Sequence, residues 1–578
     1  MEGGAAKGYT RELMLKKQVP GGRGAAWFAW TAILAGYTLL SLLYLRPIWR
    51  VGGSRMAHSL TDPLFNLYVL KWSARQIRLG LPDVWNANVF HPTQGALALS
   101  DHLLGPAAQL ALFLELFPNP IAGFNVLLFT SFVGSALATC WVVRRSGASW
   151  TAAVLAGWMF AFSPFRLTQL SHLQVLIAQW VPLTLWFWDR LLAERRTRHA
   201  AGFLLFYLLN VTSGCYLAYM IHVPLLVLAL NRLASERGDL LRVRSLRVLA
   251  PVALAAGVAV AAIFLPYVRL SERLGLERSE ALMEKHGATL VSYVRPSIQS
   301  TYFDLADRRR LRESLGPFER LFHRREDTLF AGFLPTALFL TGAVIWWKRF
   351  RNRDSFPALS NGRRAVLLGL LGLALAAYVL ANLAALGRYD PARWPRLADV
   401  DWLVPAFLLA ASLGAWALLR RRWGRGPVLR FAAMDVWERG LALVGVTCFA
   451  LTQCVAYIPL ARVVPGLDGM RVPPRFYVFV SFVLAFFAAR GVDALLGRVR
   501  RHGWRLALAG GLGLLLAVEM APRRIRWFSL PQEADFPAVY HWIAGRKDIE
   551  ALIELPITRS SREAYYMYFS TLHWKPIA

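Results

Sequence analysis

Leu103-Leu104-Gly105-Pro106-Ala107-Ala108-Gln109-Leu110-Ala111-Leu112-Phe113-Leu114-Glu115-Leu116-Phe117-Pro118 is apolar enough to pass for a membrane span, and counting it as one reverses the side of every later loop. Basic residues settle its reading, because short loops rich in Lys and Arg stay on the cytoplasmic side. Arg144-Arg145 closes an apolar run at about 121–143, and Glu194-Arg195-Arg196-Thr197-Arg198-His199 closes another at about 173–191. With both clusters inside, Ser163-Pro164-Phe165-Arg166 to His172 lies outside and 103–118 cannot cross. The stretch is then expected to be an amphipathic helix on the outer membrane surface, bounded by prolines, with Glu115 toward water.

Composition agrees with a membrane chain. Of 578 residues, 56% are hydrophobic and only 17% charged, with mean hydropathy +0.39, which is too apolar for a soluble enzyme of this length. The net charge of +31 would suggest nucleic acid in a soluble protein, but here the basic residues sit in short clusters between apolar runs. They read as topology signals that also favour anionic lipid headgroups, and no basic stretch is set among base-stacking aromatics on a soluble fold. Cys140, Cys215, Cys448 and Cys454 show no metal or redox spacing and read as buried thiols.

A span needs about 20 mostly apolar residues. Working outward, the first is expected at about 26–46, after a basic cytoplasmic tail (1–25) with no cleavable signal. Others follow at about 121–143, 150–166 and 173–191, then two short ones within 201–233 meeting near Gly214-Cys215-Tyr216. Further runs lie at about 248–269, 329–347, 365–386, 402–419, 438–460, 474–496 and 504–521. Basic connections at 348–351, 420–425 and 498–502 all fall inside on this count. The expected fold is an all-α polytopic protein of about 13 spans (26–521) with a first outer loop (47–120) bearing juxtamembrane helices and a long outer loop (270–328) holding short helices of its own. A small α/β outer domain (522–578) follows, with a helix starting at Asp535–Trp542 and a strand at Ile549–Pro556. The chain stops at Trp574-Lys575-Pro576-Ile577-Ala578 without an obvious terminator, which leaves a truncated product open.

Thr61-Asp62-Pro63-Leu64-Phe65-Asn66, Phe90-His91-Pro92, Ser100-Asp101-His102-Leu103-Leu104-Gly105, Ala161-Phe162-Ser163-Pro164-Phe165-Arg166 and Ser171-His172-Leu173-Gln174 carry a resemblance. With the cytoplasmic N-terminus, the early acid in the first outer loop and the span count, they resemble the GT-C membrane glycosyltransferases. That superfamily includes oligosaccharyltransferase catalytic subunits, protein mannosyltransferases and the aminoarabinose transferases of lipid A; the motifs look most like a largely uncharacterised bacterial group within it. The resemblance implies transfer of a sugar from a polyprenyl-phosphate donor to an envelope acceptor on the outer face of the cytoplasmic membrane. It implies a first-loop acid acting as base or as a metal-supported organiser, and Asp62 holds the matching position.

The residues can be weighed on their own chemistry. A carboxylate near hydrocarbon loses hydration and needs a partner or a task. Asp62 suits a proton acceptor for an attacking hydroxyl, as an inverting transfer requires, or simply a cap for a helix beginning at Pro63. Asp101 is expected to support it, or to cap the helix at 103–118; with His58, His91 or His102 it could join a divalent metal site, although no known ligand spacing appears. A departing lipid phosphate calls for outward positive charge, best from guanidinium forks. His102, Arg166, His172, Arg471 and Arg475 are the candidates, with snorkelling to headgroups or pairing with Asp468 as the plainer reading of the arginines. Two other functions fit the same composition: a transporter or flippase for a lipid-linked sugar, and a non-catalytic envelope-assembly subunit. Against the transporter stand the lack of an internal repeat and the scarcity of acids within spans.

Overall fold

The protein is described from a computed structural model, in which residues 23–236, 242–276, 279–294, 328–351, 435–522, 525–557 and 560–578 are placed. The tail at 1–22, the expected spans at 365–386 and 402–419, and the basic run 420–425 lie outside the described residues. Five described helices are long and apolar enough to cross a membrane: Ala26–Tyr44, Pro120–Arg145, Cys215–Ser235, Val243–Leu274 and Pro473–Arg498.

In chain order the main helices are α1 (Arg23–Tyr44), α2 (Asp62–Arg78), α3 (Leu104–Leu116), α4 (Pro120–Arg145), α5 (Trp150–Ala161), α6 (Trp180–Glu194) and α7 (Thr197–Val211). Then come α8 (Cys215–Ser235), α9 (Val243–Leu274), α10 (Phe333–Arg351), α11 (Val436–Leu451), α12 (Tyr477–Arg498), α13 (His502–Glu519), α14 (Ala538–Gly545) and α15 (Ser560–Ser570). Helices α4 to α8 run back and forth, so their turns collect at two ends. At one end the first loop meets the α7–α8 turn, where the Gly105 N–H donates to the Thr212 carbonyl at 2.8 Å. At the other, Trp437 of α11 donates its indole N–H to Ser146 at 3.1 Å, and Asn231 of α8 donates to the Val436 carbonyl at 2.8 Å. Glycines let α10 and α12 close on each other: a Cβ on Gly342 would collide with the Phe487 carbonyl, and one on Gly491 with that of Leu338.

The helix α3 has 13 residues, about 20 Å long, too short for a hydrocarbon core of about 30 Å. It buries Pro106, Ala107, Leu110 and Ala111, while Glu115 is exposed and paired with Arg78 at 2.8 Å. The expected amphipathic pattern holds only in part, since Leu112, Leu116 and Phe117 are exposed beside Glu115. The break expected near Gly214 is present between α7 and α8, and the start of the long outer loop contains a short helix, Glu280–His286.

Two expected spans need correction. The run at 150–166 ends its helix at Ala161 and restarts as a short separate helix, Pro164–Thr168; the run at 173–191 starts as a one-turn helix, Leu173–Leu176, and its long helix begins only at Trp180. Helix breaks inside an apolar bundle free carbonyls that need donors. Arg166 supplies them: Nε donates to the Ala161 carbonyl at 2.9 Å, and Nη2 to those of Leu176 at 2.8 Å and Ser131 at 3.3 Å.

In the C-terminal segment, expected as a small α/β outer domain, the strand expected at Ile549–Pro556 is not formed. A helix does form near Asp535–Trp542, as α14, but Ile549–Pro556 is extended chain joined by an isolated parallel bridge, Leu552 with Ile577. Its strand β2 (Trp527–Ser529) pairs with β1 (Arg55–Ala57) of the first loop, antiparallel, and α15 packs on α2.

Candidate functional site

Asp62 is the first residue of α2, after Thr61 at the N-cap and before Pro63, whose missing N–H costs nothing in a first helical turn. The cap carries no side-chain hydrogen bond, so Asp62 is not spent on capping. Its side chain is 59% exposed, and among the described residues its one polar contact is His172 Nε2 at 3.6 Å. One turn on, at i+4 on the same face, the Asn66 amide donates to the Ser171 carbonyl at 3.3 Å and to Gln174 Oε1 at 3.2 Å. Ser171 Oγ lies 2.5 Å from His58 Nδ1. The stretch Ser171–Gln174 is thereby held against the start of α2 from both sides.

Asp101 stands on the far side of that stretch. It is buried, and Oδ1 accepts the Cys215 backbone N–H at 2.6 Å, at the start of α8. The expectation that it caps α3 is therefore corrected: Leu103 occupies that cap without a side-chain bond, and the carboxylate serves a helix 114 residues away in sequence. Gly214 makes this approach possible, since a Cβ there would lie 3.0 Å from Asp101 Oδ1 and 3.0 Å from Gln174 Cβ. The two aspartates thus flank one segment, His172–Gln174.

Tyr216 extends the site. The Arg475 guanidinium sits 4.1 Å from the centre of its ring, a cation–π contact, and the charges of both Arg475 and Arg471 act on Tyr216. Arg475 is buried in the turn Pro473–Phe476, whereas Arg471 is exposed. Asp468 accepts the backbone N–H groups of Gly466 and Gly469, both at 3.0 Å, so it shapes its own loop.

Two candidates fall elsewhere. Arg166 is 1% exposed, wedged between the rings of Phe132 and Phe160 and bound through Nε and Nη2 to three carbonyls, so it faces the bundle interior, with Nη1 buried and without a hydrogen-bond partner among the described residues. His102 is fully buried; its Nδ1 accepts the Leu104 N–H at 3.2 Å, Ser73 Oγ donates to its carbonyl at 3.1 Å, and the ring also meets the Val211 backbone. Burial pulls its pKa down to about 4, with Asp101 opposing the shift, and a neutral ring does not pair with phosphate at pH 7. Asn66, Ser171, Gln174 and Tyr216 were not singled out from sequence. The first three lie within the quoted motifs, and the i, i+4 spacing of Asp62 and Asn66 was the available signal.

Among the described residues no group of three or more His, Cys, Asp or Glu could hold a metal ion. Asp62 and Asp101 are turned to different partners, so these donors do not fit a protein-built cage. The four cysteines form no disulfide; Cys140, Cys448 and Cys454 are buried and Cys215 is partly exposed.

Two solved structures of ArnT from Cupriavidus metallidurans are similar to the chain at 14% identity and a TM-score of 0.32. One is bound to undecaprenyl phosphate and covers 95% of this chain and 85% of its own; the other, in the apo state, covers 96% and 86%. No curated protein matches the chain. A family model matches residues 32–407, well over half of the sequence, and the chain therefore belongs to the family described as a domain of unknown function, DUF6311.

Proposed function

We propose that the protein is a membrane glycosyltransferase of GT-C type. It would take a glycosyl group from a polyprenyl-phosphate donor and pass it to an envelope acceptor on the outer face of the cytoplasmic membrane, with its N-terminus inside and its C-terminus outside. One observation carries the reading: Asp62 stands open at the head of a buried helix, beside His172, at the same end of the bundle as Arg475 and Arg471. An exposed acid fixed by rigid surroundings is what a general base requires.

In this mechanism the acceptor oxygen attacks the anomeric carbon and its proton passes to Asp62. The bond from that carbon to the phosphate oxygen breaks on the opposite face, so the configuration inverts, and polyprenyl phosphate leaves with the electron pair. His172 orients Asp62. Arg475 and Arg471 stabilise the departing phosphate, because guanidinium groups bind its oxygens in pairs. Asp101 holds the α8 start, and with it Tyr216 and Arg475, in place; His102 and Arg166 act as scaffold. No step is routed through a metal.

Purified protein in detergent, given labelled polyprenyl-phosphate sugar and a crude envelope acceptor fraction, is expected to release free polyprenyl phosphate. A carrier needs a sealed membrane to show anything, so intact donor after prolonged incubation contradicts the proposal.

A further inference from the structure

The first loop has little regular structure with which to hold Asp62. Between Gly52 and Leu103 it offers a three-residue strand, the helix α2 and a single 3-10 turn, Ala96–Leu99, and a two-stranded contact is marginal alone. The segment after α13 grips this loop at several points. The β1–β2 pairing sets Arg55 opposite Ser529, Met56 opposite Phe528 and Ala57 opposite Trp527. The Leu530 N–H donates to the Ser54 carbonyl at 2.9 Å, and Gln532 Nε2 to that of Gly53 at 2.7 Å. At the far end of the loop, Ile577 exchanges backbone bonds of 2.8 Å with Asn88 and His91, and Trp574 packs on Trp72 under Arg75.

Two of these grips reach the two partners of the Asp62–His172 contact separately. Lys71 lies on α2 nine residues after Asp62, about two and a half turns. Its ammonium is 7% exposed and donates to Glu533 Oε1 at 2.5 Å and to Thr571 Oγ1 at 2.6 Å. Burying that charge is costly, burial lowers its pKa against the pull of Glu533, and a methionine would fill the space more cheaply; such a charge fixes position more than it adds stability. On the other side, His58 adopts the left-handed region, φ 76°, where a non-glycine residue is strained. Its N–H is held by the Arg526 carbonyl at 2.8 Å, and its ring meets Ser171, the neighbour of His172.

We propose that residues 525–557 and 560–578 are a working part of the site: through Lys71 they set the position of α2, and through His58 the position of Ser171 and His172, so that the C-terminal segment fixes how Asp62 meets His172. Lys71 is a positioning residue. Its bearing on transfer rests on the role given to Asp62 above; the positional tie itself does not.

Full-length protein in detergent, as wild type, Lys71→Met, Lys71→Arg and Glu533→Gln, tests this by hydrogen exchange and by transfer kinetics. Lys71→Met is expected to speed amide exchange about tenfold at residues 58–66 and 171–174 while leaving α4 and α12 unchanged. It should lower kcat about tenfold with donor KM unchanged, and Lys71→Arg should restore both toward wild type. Glu533→Gln keeps the lysine and alters a half-exposed partner, so it remains informative if Lys71→Met does not fold; about threefold faster exchange at 58–66 is expected. Unchanged exchange there, or equal loosening of α4, overturns the positional tie. Looser exchange with wild-type kcat overturns its role in the site. A wild-type protein that transfers nothing counts against the glycosyltransferase reading alone, because the exchange comparison still stands.

Discussion

Two aspartates at opposite ends of the helix bundle, Asp189 and Asp62, stand in opposite surroundings. At the end built by the α6–α7 and α8–α9 connections, Asp189 is fully buried and clamped by Arg232, through bonds of 2.9 Å to each oxygen, and by Arg190 at 2.6 Å. Arg232 also reaches Glu236 at 2.9 Å, Arg195 reaches it at 3.3 Å, and Arg490 pairs with Glu438 at 2.6 Å. At the other end Asp62 is more than half exposed with one imidazole 3.6 Å away, while Arg475 is buried against the Tyr216 ring. Charges closed on one another stabilise or fix a structure; charges held open are available to a ligand. The contrast marks Asp189 as a structural acid and leaves Asp62 accessible to a ligand, as the proposed role requires.

This comparison can be broken by substitution. The largest effect on stability is expected from Asp189→Asn, which removes the buried charge that Arg190 and Arg232 share and should cost about 3–5 kcal/mol, seen as a lower thermal midpoint and poor yield. Any protein that does fold should keep its transfer rate. Arg166→Met should behave like a change at the closed end although it lies at the open one. Losing its bonds to three carbonyls should cost about 2–4 kcal/mol, with donor KM unchanged. A raised KM with normal stability would return Arg166 to the site.

His102 sharpens the contrast by pH. Its neutral form is favoured in the fold, so its contribution is fully present above the ordinary histidine pKa of about 6.5 and is lost as pH falls toward about 4. The loss across that window should be about 3 kcal/mol, read as an acid-side fall in thermal midpoint that His102→Gln flattens. An unchanged acid profile in the variant removes His102 from the account. The smallest effect is expected for Arg471→Gln, which should raise donor KM about three- to tenfold and leave the midpoint where it was.

Much of the fold could be read from sequence because it rests on one-dimensional signals. Apolar length and basic clusters located the ends of α4, α6 and α8, and the proline-bounded run at 103–118 forms a helix of 13 residues. What escaped was tertiary. Nothing local in Ala161–Trp180 announces that its carbonyls are met by Arg166, so two interrupted helices looked like two spans. Asp101 sits next to α3 in sequence, and only the folded chain brings it to Cys215 instead. The pairing of β1 with β2 joins residues more than 450 positions apart, a tie that no local pattern signals.

The candidate residues were legible in part for the same reason. Asp62 and His172 were both singled out and lie 3.6 Å apart, and Arg475 packs on Tyr216. Arg166 was misjudged because an arginine at an apolar boundary serves equally as a phosphate ligand or as an internal donor, and exposure alone decides.

The central claim is that Asp62 does chemistry, and its most direct test is transfer by membranes carrying Asp62→Asn at normal expression. The account predicts a fall of at least about a hundredfold in transfer, with an unchanged thermal midpoint. Wild-type transfer by that variant would contradict it.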